Sequence, residues 1–105
     1  MILQTGLELE NSMVSSYLVR LTNQIYKMLP SREEGANWEW QLSIIIEEIR
    51  GAKRVFNEYQ EQFLILLCKL EGMYSLTEEK DFLLYRRTIF ECLSIIKEVA
   101  ANVNR

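Results

Sequence analysis

Apolar positions along this chain recur at helical spacing almost from end to end. From Asn11 onward, Val14, Leu18, Leu21, Ile25 and Met28 follow at steps of 4, 3, 4 and 3, with Met13 and Tyr17 widening the stripe. That is the buried face of a helix turning every 3.6 residues. Asn11 or Ser12 can cap it. Pro30 predicts its end, because a proline pushes the preceding residue out of the α region. The first ten residues read as a turn or a loose helical lead, since Leu7-Glu8-Leu9-Glu10 alternates like a strand while Gly6 disfavours helix.

Residues 30–37 form a linker in which Ser31 and Glu34 have capping-box spacing, Gly35 stops the chain and Asn37 can cap the next helix. Beyond the linker, Trp38, Ile45, Ala52, Tyr59, Leu66 and Met73 repeat every seven residues. Leu42, Ile49, Phe56, Phe63 and Leu70 repeat on the interleaved position. A turn normally resets such a phase, so the unbroken heptad predicts one helix over 37–72, roughly 50 Å long. The alternative is a break at Phe56-Asn57-Glu58-Tyr59, with Asn57 as a cap, giving a four-helix bundle. Gly72 is a helix stop, and Ser75 with Glu78, or Thr77, can cap the last helix. Phe82, Tyr85, Ile89, Cys92, Ile96, Val99 and Val103 carry that helix to the chain end. Glu78, Glu79 and Asp81 lie near its start and Lys97 and Arg105 near its finish, as the helix dipole favours. The expected architecture is all-α, a single domain in which three antiparallel helices over 11–29, 37–72 and 77–103 pack as a bundle.

The helices carry more apolar surface than one seam consumes. Trp40, Ile44, Ile46, Leu64, Ile65 and Leu67 fall off the central seam, and Leu83, Leu84, Phe90, Leu93 and Ile95 fall off the last one. A first helix of roughly 28 Å cannot line a 50 Å neighbour. The overhang predicts a homodimer or a face that binds a protein partner.

Composition narrows the reading further. One proline and four glycines leave too little turn chemistry for a β-sandwich or barrel. A net charge of −3 offers no basic excess for phosphates, so nucleic-acid binding is possible but not favoured. The longest apolar run, residues 63–68, falls far short of a membrane span, and the start lacks the positive charge of a signal peptide. Cys68 and Cys92 lie in apolar stretches and read as reduced core thiols; together these features predict a cytoplasmic protein.

Chemistry is scarce. The chain has no histidine, which removes His-based nucleophile activation and the common zinc and di-iron ligand sets. Its glycines stand singly, so there is no phosphate loop, and neighbouring carboxylates such as Glu47-Glu48 point about 100° apart on a helix. A non-enzyme without cofactor or metal is expected. Candidate contact residues are Trp40, which points away from the seam, and two basic groups: Arg50, Lys53 and Arg54 on one face of the central helix, and Arg86 with Arg87 on the last. The bland reading pairs these cations with Glu47, Glu58 and Glu91 on a wet surface.

Met28-Leu29-Pro30-Ser31-Arg32-Glu33-Glu34-Gly35 followed by Trp38-Glu39, and Cys68-Lys69-Leu70-Glu71-Gly72 followed by residues 81–91, Asp-Phe-Leu-Leu-Tyr-Arg-Arg-Thr-Ile-Phe-Glu, carry a further signal. Over roughly residues 20–96 the chain resembles small proteins carried on mobile elements of Gram-positive bacteria. That resemblance implies a regulator, an immunity factor or an inhibitor of host defence, such as an anti-CRISPR protein that occludes an effector nuclease. It assigns no functional residue. The alternative is a structural or assembly module in conjugation or secretion machinery, or an immunity-type module, that dimerises and binds a partner helix.

Overall fold

The helix that starts at Trp38 does not run to Gly72. In the computed structural model, which describes residues 1–103, α1 spans Asn11–Tyr26, α2 Met28–Glu33, α3 Trp38–Val55, α4 Gln60–Gly72 and α5 Phe82–Val103. The described residues are otherwise turns, two short 3-10 segments and two isolated β-bridges, Ile2 with Glu8 and Leu3 with Phe56. Arg105, expected to favour the dipole of the last helix, lies outside the described residues.

The expected 50 Å helix is thus corrected to two shorter ones, and the reason lies in how the break satisfies its own backbone. Gln60 Nε2 donates to the carbonyls of Lys53 at 2.7 Å and Phe56 at 2.6 Å, and Gln4 Nε2 donates to Phe56 as well, at 3.0 Å. The Gln4 amide takes the Val55 carbonyl at 2.6 Å, and the Asn57 amide donates to Ile2 at 2.8 Å. Carbonyls that a helix end leaves without intrahelical partners are thereby used. Tyr59, with φ of 62°, makes the reversal in the left-handed region, at a cost of about 1–2 kcal/mol for a side chain with a Cβ. It also serves as the N-cap of α4 in place of Asn57. The heptad survives because the turn buries its own seam residues: Phe56 stacks on Phe63 with ring centroids 6.1 Å apart and meets Tyr17 edge-on at 6.3 Å.

Breaking the long helix also removes its overhang. At 1.5 Å per residue, the 16-residue α1 and the 18-residue α3 differ by only about 3 Å in length. The four longer helices close a ring: α1 packs on α3 and α5, and α4 packs on α3 and α5. Gln60 bonds to Lys53 at the turn and Arg50 reaches Glu71 further along, so α3 and α4 are antiparallel. Val14, Leu21, Ile25, Leu42, Ile49, Phe63, Leu70, Ile89 and Val99 fill the centre. Of the surplus residues, Ile46 and Leu67 are buried and Leu93 and Ile95 are partly covered, while Trp40, Leu64, Ile65 and Leu83 remain exposed.

Pro30 does not end a helix. It sits in the first turn of α2, where an amide has no intrahelical acceptor to lose. α2 closes on a Schellman motif, with Ala36 donating to the Ser31 carbonyl and Gly35, at φ of 74°, donating to Arg32. Ser31 therefore caps nothing. Nor does Ser75, whose hydroxyl bonds back to Gly72; the capping box before α5 is Glu78 with Asp81.

One side chain ties these ends together. Arg32 donates to the carbonyls of Leu76 and, at 2.7 Å, Glu78. Its guanidinium lies 4.4, 5.3 and 5.9 Å from the ring centroids of Tyr85, Trp38 and Phe82. Beneath it, Trp38 meets Tyr85 edge-on at 5.0 Å, and the buried Tyr85 hydroxyl donates to the Met28 carbonyl at 3.0 Å. Only a planar, forked cation spans two carbonyls while stacking on rings. We predict that Arg32→Lys, which keeps the charge, lowers the unfolding free energy by about 1–3 kcal/mol in a urea titration; an unchanged midpoint contradicts the clasp.

Candidate protein-binding surface

α3 turns two faces inward and one out. Leu42, Ile45, Ile49 and Ala52 enter the core, while Trp40, Ile44, Glu47, Gly51 and Arg54 succeed one another at steps of 4, 3, 4 and 3 along the outside. Asn37 caps the helix by accepting from the Trp40 amide at 3.1 Å, which fixes the first turn and the direction of both tryptophans. Trp38 is 6% exposed and Trp40 62%. Two residues apart on a helix point about 200° away from each other, so a buried Trp38 obliges Trp40 to face outward.

A groove of about 740 Å³ runs beside this stripe, between α3 and the 3-10 turn after α4. Ile44 and Tyr74 give it apolar walls, and Arg50, Glu47 and Glu71 close one end. Arg50 is fully engaged there, donating to Glu47 at 2.8 Å and to Glu71 at 2.6 Å. These hydrogen bonds, Glu71 first, raise its already high pKa. On the other side of Ile44, Gln24, Lys27, Gln41 and Ile45 line a cleft of about 180 Å³. The side-chain oxygens of Gln24 and Gln41 are buried without a hydrogen-bond partner among the described residues.

The structure separates the cations that the sequence grouped. Trp40 and Arg54 share the outer stripe of α3, and Arg50 is tied to α4 by carboxylates. Lys53 is half-buried, with its carbonyl taken by Gln60. Arg86 lies over the Phe90 ring of its own helix at 5.2 Å, and Arg87 is exposed on α5. Since α5 packs on α1 and α4, Arg86 and Arg50 serve different flanks of the ring. Tyr74 and Arg32 went unrecognised in the sequence. Arg32 has little local signature, because all its partners but Trp38 lie 44 to 53 residues on; Tyr74 simply comes after the last heptad position.

Reactive groups are few. Cys92 is fully buried and Cys68 is exposed, which corrects the expectation of two core thiols. The sequence held the clue, since Cys68 lies on neither heptad position. Burial pushes the Cys92 thiol up to about 12, with Lys69 opposing and Glu91 adding. Burial also pushes the Tyr17 phenol up to about 12, Glu48 adding and Arg20 opposing, and it raises Tyr85. Among the described residues no three His, Cys, Asp or Glu side chains are grouped to hold a metal, and no helix is long and apolar enough to cross a membrane. No family model, curated protein or solved structure matches the chain.

The buried acids make stability sensitive to alkali. For an acid whose pKa is raised on folding, the stabilisation is complete below the unfolded pKa and is lost as pH rises through the folded one. With unfolded values near about 8.5 for Cys and about 10 for Tyr, the unfolding free energy falls steadily between about pH 9 and 12; a flat profile contradicts the burial of Cys92 and Tyr17. The two thiols also differ in access. Ellman's reagent titrates one thiol per native chain and two in denaturant, and Cys68→Ser removes the native reaction; two thiols reacting at once in the native state contradicts the placement.

Proposed function

We propose that this chain is a non-catalytic protein that acts by occupying a surface of another protein, with Trp40 as the anchor. The observation that carries the reading is an indole held outward on a capped, packed helix. A large rigid side chain so presented loses little entropy on binding and brings both apolar area and an N–H donor. Ile44 and Tyr74 extend the apolar area. Arg50 already holds two carboxylates, which weakens an RNA reading of the basic residues.

In its most concrete form the protein is an inhibitor of anti-CRISPR type that works in the cytoplasm by occluding an effector nuclease, the setting implied by the resemblance to mobile-element proteins. Incubation with a purified CRISPR effector, with and without guide RNA, is expected to give a co-eluting complex and loss of DNA cleavage. Trp40→Ala weakens the complex at least tenfold without lowering the melting temperature. A partner-free elution profile and undiminished cleavage remove the anti-CRISPR form.

A second reading, an assembly or immunity-type module that forms a homodimer, draws on α4, which is apolar nearly all round. Leu64 is 51% exposed, Ile65 40%, and Cys68 is exposed beside them. Sedimentation velocity at micromolar concentration then gives twice the 12.5 kDa chain mass, and Ile65→Glu returns a monomer. A wild-type monomer excludes it.

A further inference from the structure

The flank of the ring opposite α4 has a character of its own. Antiparallel α1 and α5 leave between them a groove of about 330 Å³, lined by Leu18, Val19, Thr22, Leu93, Lys97 and Ala100 among others. Beyond its end the same surface continues through Tyr26, which meets Phe90 edge-on at 6.4 Å, and through Arg86 over the Phe90 ring. On α5 the stripe reads Leu83, Arg86, Phe90, Leu93, Lys97 and Ala100, at steps of 3, 4, 3, 4 and 3. Much of it is uncovered: Leu83 is 77% exposed, Val19 60%, Tyr26 53% and Phe90 40%.

Charge on this face is one-sided. The chain has 15 acidic residues and a net charge of −3, yet α1 contains no Asp or Glu between Asn11 and Tyr26, and no carboxylate lines the groove. Its two cations, Arg86 and Lys97, form no ion pair among the described residues, whereas Arg20, Arg50, Lys69 and Lys80 each do. Of the two acids of α5, Glu91 pairs with Lys69 on α4, and Glu98, next to Lys97, does not line the groove. Arg86 and Lys97 are 11 residues apart, or about 16 Å along the helix, with the apolar trough between them.

We propose that the α1/α5 groove is a docking site for an acidic amphipathic helix of a partner protein, laid along the trough as a fifth element of the ring. Its apolar i, i+3, i+4 and i+7 positions fill the space between Val19, Phe90 and Leu93. Carboxylates about three turns apart on that helix meet Arg86 and Lys97. The cations set the sign and the register of the occupant, because a basic or uncharged helix leaves both without a partner. This surface is distinct from the one at Trp40 and does not depend on it.

The probes are two fluorescein-labelled 18-residue helical peptides with the same leucine seam, one with glutamates and one with lysines on the polar face, read by fluorescence anisotropy against the whole chain. The glutamate peptide is expected to bind at least tenfold more tightly. Arg86→Glu with Lys97→Glu reverses the preference, and Val19→Asp weakens both peptides while circular dichroism and the melting temperature hold. Trp40→Ala leaves peptide binding unchanged, so loss of the Trp40 surface and loss of the groove are told apart. Equal binding of the two peptides, or none, overturns the proposal. So does a chain that prefers phosphatidylserine vesicles to the glutamate peptide, or one whose groove variants convert a dimer to a monomer, since the groove then serves a membrane or a second copy.

Discussion

The backbone carbonyls at the end of α3 are the constraint on which the rest of this architecture depends. A helix interrupted inside a protein exposes acceptors that cost on the order of 1–3 kcal/mol each if buried without a donor. Here they are met by the two glutamine side chains, Gln60 from the following helix and Gln4 from the N-terminal arm, together with the Gln4 amide. With those bonds made, α4 folds back on α3, the lengths of α1 and α3 match, and a closed ring of helices becomes the arrangement that buries every seam. Without them, a continuous helix would leave Phe63, Leu66 and Leu70 beyond the reach of α1.

Closure of the ring decides which side chains are left outside, and those exposed side chains are the ones the proposed surfaces use. Trp38 enters the core against Tyr85 and under Arg32, so Trp40 is turned out by helical geometry alone. The pairing of α1 with α5 places a helix devoid of acids beside the α5 stripe that carries Arg86 and Lys97. Exposed apolar groups on α3, α4 and α5 therefore occupy separate flanks instead of one overhang. The raised pKa values of Cys92, Tyr17 and Tyr85 come first from burial.

The all-helical fold was legible because period alone encodes it: Val14 to Ile25, Leu42 to Ile49 and Tyr85 to Val99 are buried where their spacing puts them. The break was not. An antiparallel hairpin whose turn buries Phe56 keeps the same heptad phase as a straight helix, so periodicity cannot separate the two. The deciding donors, Gln4 and Gln60, carry no helix-stop signature. Helix ends were illegible for a related reason, since Pro30 and Ser75 have more than one backbone role and tertiary contacts choose between them. Trp40 was legible from its phase against Trp38. The placement of Arg86 away from Arg50 was not, because it depends on which helices become neighbours. Arg32 illustrates the limit most plainly, binding the carbonyls of Leu76 and Glu78 and the Phe82 and Tyr85 rings, which become local to it only once the chain is folded.

The most direct test is a distance across the break. Nitroxides placed on cysteines at Glu47 and Glu71, in a chain with Cys68→Ser and with Cys92 left buried, report by double electron–electron resonance. Because Arg50 bridges these two carboxylates in the folded chain, a short distance below about 20 Å is expected even with label linkers, whereas a continuous helix separates the two positions by roughly 36 Å. A distribution centred near the longer value contradicts the hairpin and the surfaces built upon it.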